Sequence, residues 1–511
     1  MSSSHKGRWR SAAALVVGGA LTLAGAVPSQ AADTTTIDPE RSASLTVHKY
    51  EQPLDGSALP STDGTELGAS ELGSLTALAG VEFTVQQVPG VDLTTNSGWV
   101  TAQAMTEEAA GKAVEGVAGT STTTASDGTA VFADLPLGLY YVTETGTPTG
   151  VRAGAPFLVT LPMTDVSGSG WLYDVHVYPK NSVTTADKTV DDSTAVTLGD
   201  DVVWTITSSV PVDGTDGYQV RDTLDERLAY KDAVVAIGDT VLVADTDYTL
   251  TDATDKDTGR TTVTIKLTEA GLAVANAHKG GSVSVVLTTT VIALGEIENY
   301  AEIFDNQSAI DSDDPSNYTP GHPEDPDTDP DNPICPDPPV TKFGTATVSK
   351  VDAVSGAALA GAEFKVYRTE ADAKAGTNPI TISGVSTWTS DDKGLLTISG
   401  LRYSNWLNGT ELAEGSWQHY YLVETKAPDG YELLAAPVEF DVVGADTTVL
   451  AVTVQDVVSD AGFTLPLTGG AGIALLMIGG AGLVVGALMI AGRRGRRGRR
   501  SVGSEAAAAQ G

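Results

Sequence analysis

The chain has 511 residues, with 66 acidic against 30 basic side chains, a formal charge of −36, a single cysteine and 6% aromatic residues. So acidic a chain repels nucleic-acid phosphate and offers no basic stripe to hold it, and one cysteine excludes a disulfide scaffold or a thiolate zinc site. An apolar fraction of 41% is enough to build cores, and the length suggests roughly three domains of ~100–200 residues.

Lys6, Arg8 and Arg10 precede an apolar run from Ala12 to Val27 and then Ser29-Gln30-Ala31-Ala32, the order of a secretory signal peptide over residues 1–32. The run is short and meets Pro28, which argues against a stable anchor. Past this leader, short alternating runs rich in Val, Thr, Tyr and Leu recur between Gly, Asp, Asn and Pro clusters. Ser44 to Tyr50, Val202 to Ser208, Ser282 to Ile292 and Thr345 to Val351 carry the period-2 pattern of half-buried strands. Helical periodicity is scarce outside Glu370 to Ala375. An all-β chain of tandem immunoglobulin-like β-sandwich domains is predicted.

The first domain is placed at 33–181, and its landmarks return in a last domain at 342–464. Leu45-Thr46-Val47-His48-Lys49, Ala79-Gly80-Val81-Glu82-Phe83 and Tyr140-Tyr141-Val142-Thr143-Glu144-Thr145 correspond to Ala346-Thr347-Val348-Ser349-Lys350, Ala360-Gly361-Ala362-Glu363-Phe364 and Tyr420-Tyr421-Leu422-Val423-Glu424-Thr425. Lysine is most often a solvent-facing strand residue, but here each lysine has a repeat-matched glutamate among apolar neighbours. Burial drives a lysine to lose its proton and a glutamate to keep one, which gives the reagents of amide formation, a neutral amine and a carboxylic acid that polarises a carbonyl. The first domain closes on the strand Val175 to Asn181, within Trp171-Leu172-Tyr173-Asp174-Val175-His176-Val177-Tyr178-Pro179-Lys180-Asn181, and the last on Val452 to Asp456.

A middle domain of different pattern spans 182–306, from Asp187-Lys188-Thr189-Val190 to Ile297-Glu298-Asn299-Tyr300-Ala301-Glu302-Ile303. The stretch 307–341 is rich in Asp and Pro and reads as a semi-rigid linker. It holds Cys335, a reactive thiol, an intermolecular bridge or an incidental exposed cysteine. Neither its carboxylates nor Asp255, Asp257 and Gly259 fit a calcium loop, and the latter read as a turn. At the C-terminus, 465–511 begins with Leu465-Pro466-Leu467-Thr468-Gly469-Gly470. An uncharged apolar stretch from Ala471 to Ala491 follows, long enough for a transmembrane helix, and then six arginines between Arg493 and Arg500, which stay cytoplasmic. Removing both ends takes away nine basic residues and one glutamate, leaving a charge of −44 on 33–468.

The order motif, apolar span, arginine tail resembles the LPxTG sorting signal of Gram-positive surface proteins, in which sortase cuts between Thr468 and Gly469. Tyr420-x-Leu422-x-Glu424-Thr425-x-Ala427-Pro428-x-Gly430-Tyr431 matches the E-box of sortase-assembled pilins, and Trp171 to Asn181 resembles their pilin motif. The resemblance implies Cna B-type domains with intramolecular isopeptide bonds: Lys350–Asp456 promoted by Glu424, Lys49–Asn181 promoted by Glu144, and Lys188–Asn299 promoted by Asp222, with Asn306 as alternative acceptor. The family's usual acceptor is Asn, so Asp456 would release water rather than ammonia. The resemblance also implies a backbone pilin whose Lys180 accepts the Thr468 carbonyl of another copy. Sortases, further copies of the chain, peptidoglycan and minor pilins are the implied partners, and no host receptor is legible. The alternative is a wall-anchored adhesin that does not polymerise, with Lys180 an ordinary surface lysine. No enzyme, metal or cofactor is expected, since six scattered histidines have no metal spacing and no Gly-x-Ser-x-Gly elbow is present.

Overall fold

The computed structural model describes residues 36–53, 62–73, 75–165, 170–323, 338–443 and 450–457. The signal peptide, Cys335, and the sorting signal with Leu465, Pro466, Leu467, Thr468, Gly469 and the apolar stretch after it lie outside the described residues.

Alternation of apolar and polar side chains along each strand leaves one face of every sheet to bury against another, and the described residues do so three times in succession. In the first sandwich, Ala43–His48 pairs antiparallel with Thr129–Leu135 and parallel with Asp174–Val177. The opposing sheet runs in the order Thr120–Thr123, Glu82–Gln87, Gly138–Gly146, Phe157–Leu161. Leu45, Val47, Phe83, Phe132, Val142 and Val175 fill the space between them. Two helices, Asn96–Ala104 and Glu107–Ala113, interrupt the β pattern where none was expected. Their signal is local: Thr95 and Thr106 each accept a backbone N–H from the first turn, and such capping marks a helix start too short to show periodicity.

The last sandwich repeats the plan. Val340–Asp352 pairs antiparallel with Leu395–Arg402 and parallel with Leu450–Asp456, and Glu363–Tyr367 with Tyr420–Lys426 forms the centre of the opposing sheet. The helix expected at Glu370 to Ala375 is present, capped by Thr369. In the middle sandwich, a sheet in the order Ala186–Asp191, Asp201–Ser209, Ser282–Val291, Leu228–Ile237, Thr240–Val241 faces one in the order Tyr248–Thr254, Thr261–Leu267, Gln219–Leu224, Ala301–Phe304, Asn317–Tyr318. Asp255 to Gly259 forms the turn between two of these strands, closed by Gly259 N donating to Asp255 O. A further unexpected helix, Glu269–Ala277, follows the cap Thr268.

The expected linker starts too early. Asn306 caps the helix Gln307–Ser312, Asn317–Tyr318 pairs with Ala301–Phe304, and Thr319 is buried, so residues up to 323 fold onto the middle sandwich. Its Asp- and Pro-rich composition favours extended backbone, but Ser316 donates to Asp305 and Asn317 to Thr184 O, which ties this stretch to the middle sandwich. At its far end the strand Val340–Asp352 already pairs, through Val340 to Phe343, with Gly295–Glu298 of the middle sandwich.

Both junctions between sandwiches are hydrogen-bonded. At the first, Thr184 N donates to Gly150 O at 2.7 Å, and Arg152 donates to Gly214 O, Asp305 O and Asp213 Oδ2. At the second, Leu198 N donates to Gly400 O and Arg402 N to Val196 O. There the Arg402 guanidinium is fully buried against Asp192, with 3.0 Å contacts to both its backbone and carboxylate oxygens.

Candidate functional site

Period-2 geometry puts a lysine where each first strand would next bury an apolar residue. Lys49 continues the inward series Ala43, Leu45, Val47, and Lys350 continues Ala346, Val348. Lys188 shares the inward face of its strand with Val190. All three lysines are buried, and each ammonium lies over an aromatic ring, at 5.6 Å from Phe83, 5.7 Å from Trp204 and 5.6 Å from Phe364. In the two repeat copies the lysine backbone is pinned alike. Lys49 N donates to Gly128 O and Lys350 N to Gly394 O, while Leu78 N and Leu359 N donate to the two lysine carbonyls.

The carboxylate comes from the opposing sheet by the same alternation: Glu144 follows Tyr140 and Val142, Glu424 follows Tyr420 and Leu422, and Asp222 stands between Val220 and Leu224. Each faces its lysine. Lys49 Nζ donates to Glu144 Oε1, Lys188 Nζ to Asp222 Oδ2 at 2.5 Å, and Lys350 Nζ lies 3.0 Å from Glu424 Oε1.

The third member comes from the closing strand. Asp174–Val177 and Lys180–Asn181 run parallel to the first strand on either side of Pro179, and the pairing of Asn181 with Glu51 turns the Asn181 side chain into the core. Lys49 Nζ is 2.5 Å from Asn181 Oδ1, and Asn181 Nδ2 donates to Glu144 Oε2 at 2.7 Å, which closes a triangle. In the last sandwich the parallel register brings Asp456 opposite Asp352, and Lys350 Nζ donates to the Asp456 carboxylate. In the middle sandwich Asn299 is buried just before the strand that pairs Ala301 with Asp222, beside the Asp222 carboxyl. Neither polar atom of its side chain has a hydrogen-bond partner among the described residues, and neither does Asp222 Oδ1. Asn306, the alternative acceptor, is engaged elsewhere: its Oδ1 caps Ala309 N at 2.8 Å and its Nδ2 donates to Asp305.

Burial sets the protonation chemistry. It pushes Lys49 and Lys188 below the ordinary lysine range, against the opposing pull of Glu144 and Asp222. It pushes Asp222 and Glu424 above the ordinary carboxyl range, against Lys188 in one case and the Leu434 N–H and Lys350 in the other. The Lys49 and Lys188 amines and the Asp222 and Glu424 acids are thus driven toward their neutral forms, in contact with a carboxamide or a second carboxyl. Such a group of atoms can form an amide bond.

Lys180 faces the other way. Next to inward Asn181 on the same two-residue strand, it is half-exposed at the edge where that strand pairs with Tyr50–Glu51. Nearby, the rings of His48, His176 and Tyr178 stack, with His48 Nε2 and His176 Nδ1 2.9 Å apart. Sequence reasoning missed two backbone donors. Glu144 Oε2 accepts from Gly154 N and Glu424 Oε2 from Leu434 N, each at 2.9 Å and each ten residues further along the chain. Identical spacing in the two copies was the available signal. Among the described residues no group of three His, Cys, Asp or Glu side chains is placed to hold a metal ion.

Comparison with known proteins gives three matching families. Residues 40–182 match the N-terminal domain of Gram-positive pilin subunit D1, residues 344–457 a prealbumin-like fold domain, and residues 457–497 the LPXTG cell wall anchor motif. The chain is 35% identical to the fimbrial subunit type 1 of Actinomyces viscosus over 96% of its own length and 97% of the relative's. It is 33% identical to the fimbrial subunit type 2 of Actinomyces naeslundii, over 91% and 92%. Among solved structures, the fimbrial protein FimP from Actinomyces oris superposes with a TM-score of 0.54 at 32% identity, covering 84% of this chain and 100% of that one. The full-length major pilin SpaD from Corynebacterium diphtheriae gives 0.60 at 28% identity, with the same coverage.

Proposed function

The chain belongs to the fimbrial-subunit family of Gram-positive bacteria, and from that premise we propose how its own residues join the polymer and hold each subunit closed. It is a secreted, cell-wall-anchored backbone subunit of a covalently polymerised surface pilus. The joint between subunits is an amide between Thr468 of one copy and Lys180 of the next. A pilus-specific sortase makes it by breaking the Thr468–Gly469 bond, a housekeeping sortase passes the last subunit to peptidoglycan, and minor pilins share the fibre. The half-exposed position of Lys180 beside inward Asn181 supports its role as the accepting amine.

Each sandwich is closed by a second kind of amide, in domains 33–181, 182–306 with its extension to 323, and 342–464. Neutral Lys49 Nζ attacks Asn181 Cγ, the Nζ–Cγ bond forms, the Cγ–Nδ2 bond breaks, and Glu144 carries the displaced lysine proton to Nδ2, which leaves as ammonia. Lys188 and Asn299 do the same with Asp222. Lys350 condenses with the Asp456 carboxyl with Glu424 as the proton carrier, and water leaves. The observation that carries this reading is the burial together of a lysine, a carboxyl from the facing sheet and an acceptor, which comes from the closing strand in the first and last sandwiches and from the segment just before Ala301–Phe304 in the middle one. A buried charge left unpaired would cost several kcal/mol. A finished amide has none, and it gives the unpartnered atoms of Asn299 and Asp222 a chemical purpose.

Cell-wall extracts boiled in detergent, from the host carrying wild-type chain or Lys180→Ala, test the polymer joint. A ladder of multimers in the wild type that collapses to monomer in the variant is expected. Equal ladders would remove Lys180 from its role, and a single wall-linked band in both strains would favour the adhesin. Intact mass of residues 33–468 tests the closures, which should lower it by two ammonia and one water.

A further inference from the structure

Glu144 and Glu424 each need one carboxylate oxygen held still so that the other can face lysine and acceptor, and in both copies a backbone N–H ten residues later does this. The same loop then holds the closing strand: Arg152 N donates to Ser182 O, next to Asn181, and Glu432 N donates to Val457 O, next to Asp456. The two loops share these hydrogen bonds, and at the position of the donor itself one has Gly154 where the other has Leu434. Leu434 packs against the last core. A Cβ at 154 would stand 2.9 Å from Glu144 Oε1 and 3.0 Å from Asn181 Oδ1. Those are the two oxygens that receive Lys49 Nζ, so they have no room to retreat without leaving the amine.

We infer that Gly154 is the positioning residue of the first-domain closure, admitting the Asn181 carboxamide and Glu144 to Lys49 together because position 154 has no side chain. This rests on the Lys49–Asn181 closure proposed above. Asn181 engages through both side-chain atoms, Oδ1 toward Lys49 and Nδ2 toward Glu144 Oε2, so the carboxamide must stand edge-on between the two reagents. Gly154 borders that slot. The backbone donor survives any substitution except proline, so Gly154→Ala changes the space while keeping the hydrogen bond. Leu434→Gly is the reciprocal change in the last domain, where the donor stays and the acceptor is a carboxyl.

The experiment is a time course of intact and tryptic masses on residues 33–468 as wild type, Gly154→Ala, Leu434→Gly and Lys49→Ala, with thermal unfolding of each. In Gly154→Ala, loss of ammonia from the Lys49–Asn181 peptide pair should slow at least tenfold or cease, while the middle and last closures form as in the wild type. Its melting should match Lys49→Ala, which folds without the bond, rather than fall below it. Leu434→Gly should release water at the wild-type rate. Wild-type ammonia release in Gly154→Ala would overturn the inference alone, as would melting well below Lys49→Ala, which would make the effect one of folding. Absence of the first-domain mass loss from the wild type itself would sink the closure and the inference together.

Discussion

The first and last sandwiches are two copies of one plan built around different candidate acceptors, Asn181 and Asp456. Both bring lysine from the first strand, glutamate from the facing sheet and an acceptor from a parallel last strand, with the same backbone donors around them. The first, however, sets one carboxylate and a carboxamide beside its lysine, the last two carboxyls. With every group ionised, the first trio is neutral and the last carries one negative charge. The lesson is that the scaffold fixes where three side chains meet, while the acceptor fixes which proton inventory can react.

Breaking either closure should give the largest effect and should barely distinguish the copies. Lys49 and Asn181 are 132 residues apart and Lys350 and Asp456 106. The chain-entropy relation for cross-links then assigns each ~5 kcal/mol, with a difference of only ~0.2 kcal/mol. Lys49→Ala and Lys350→Ala should lower the unfolding free energy of their own sandwiches by about that amount, read by domain-resolved hydrogen exchange in denaturant. A gap of several kcal/mol between the two would show that local packing, not loop closure, carries the stability.

The copies part company where each meets the middle sandwich. Arg152 reaches across the first junction with its side chain 27% exposed; it binds Asp213, itself 52% exposed, and lies 3.5 Å from buried Asp305, which keeps Thr184, Asn306 and Ser316 as donors. Arg402 does so at the second with 2% and 0% exposure for itself and Asp192. Removing one partner of a buried pair costs ~3–5 kcal/mol, whereas an exposed pair contributes ~0–1 kcal/mol. Asp192 keeps Thr341 Oγ1 and Asn408 N as donors, which places the expected loss for Arg402→Ala toward the lower end of that range. Arg152→Ala should cost about 1 kcal/mol. Denaturant titrations that rank the two in the opposite order would make the first junction the stiffer one.

Much of this was legible in the chain. The inward lysines and their glutamates followed from a period of two and an internal repeat, because a strand's inward face is set by counting, while Asn181 and Asp456 as acceptors came from the resemblance to sortase-assembled pilins. Of the middle-domain acceptors, the buried one is Asn299, while Asn306 serves a helix N-terminus, a distinction that alternation cannot make because the two flank the short strand Ala301–Phe304 from outside it. The helices near Trp99 and Ala110 were lost because four turns of weakly amphipathic sequence yield no period, though Thr95 and Thr106 marked their starts. Residues 307–323 look like linker by composition, yet their polar side chains find partners on the middle sandwich. Arg402 acts through a contact between distant segments, which single-sequence patterning does not register, whereas the ten-residue spacing of Glu144–Gly154 and Glu424–Leu434 is a repeat signal.

The smallest effect is the sharpest in sign. In Asn181→Ala and Asp456→Ala, which lack an acceptor, each sandwich stays open and its titrating groups are exposed to measurement. His48, one residue before Lys49, is held below its ordinary value of 6.5 by burial and by His176, with Glu66 and Asp127 pulling the other way. The unfolded chain therefore takes up a proton there that the folded one resists, so His48's contribution is complete above about 6.5 and is lost as pH falls below it. Tyr178 stacks on His48, and the exposed Asp174 carboxylate lies 3.7 Å from His176. Glu424 in the last sandwich has the opposite sign. Burial raises it above its ordinary 4.5, with Asp456 the least of the causes, so the folded state keeps a proton that the unfolded chain releases. Its contribution is complete below about 4.5 and is lost as pH rises toward the folded value. Moving the two open variants from pH ~7 to ~5.5 should thus weaken the first sandwich and strengthen the last. Domain-resolved proteolysis at the two pH values reads both at once, and a shift of the same sign in both would mean that groups outside the two trios govern their acid response.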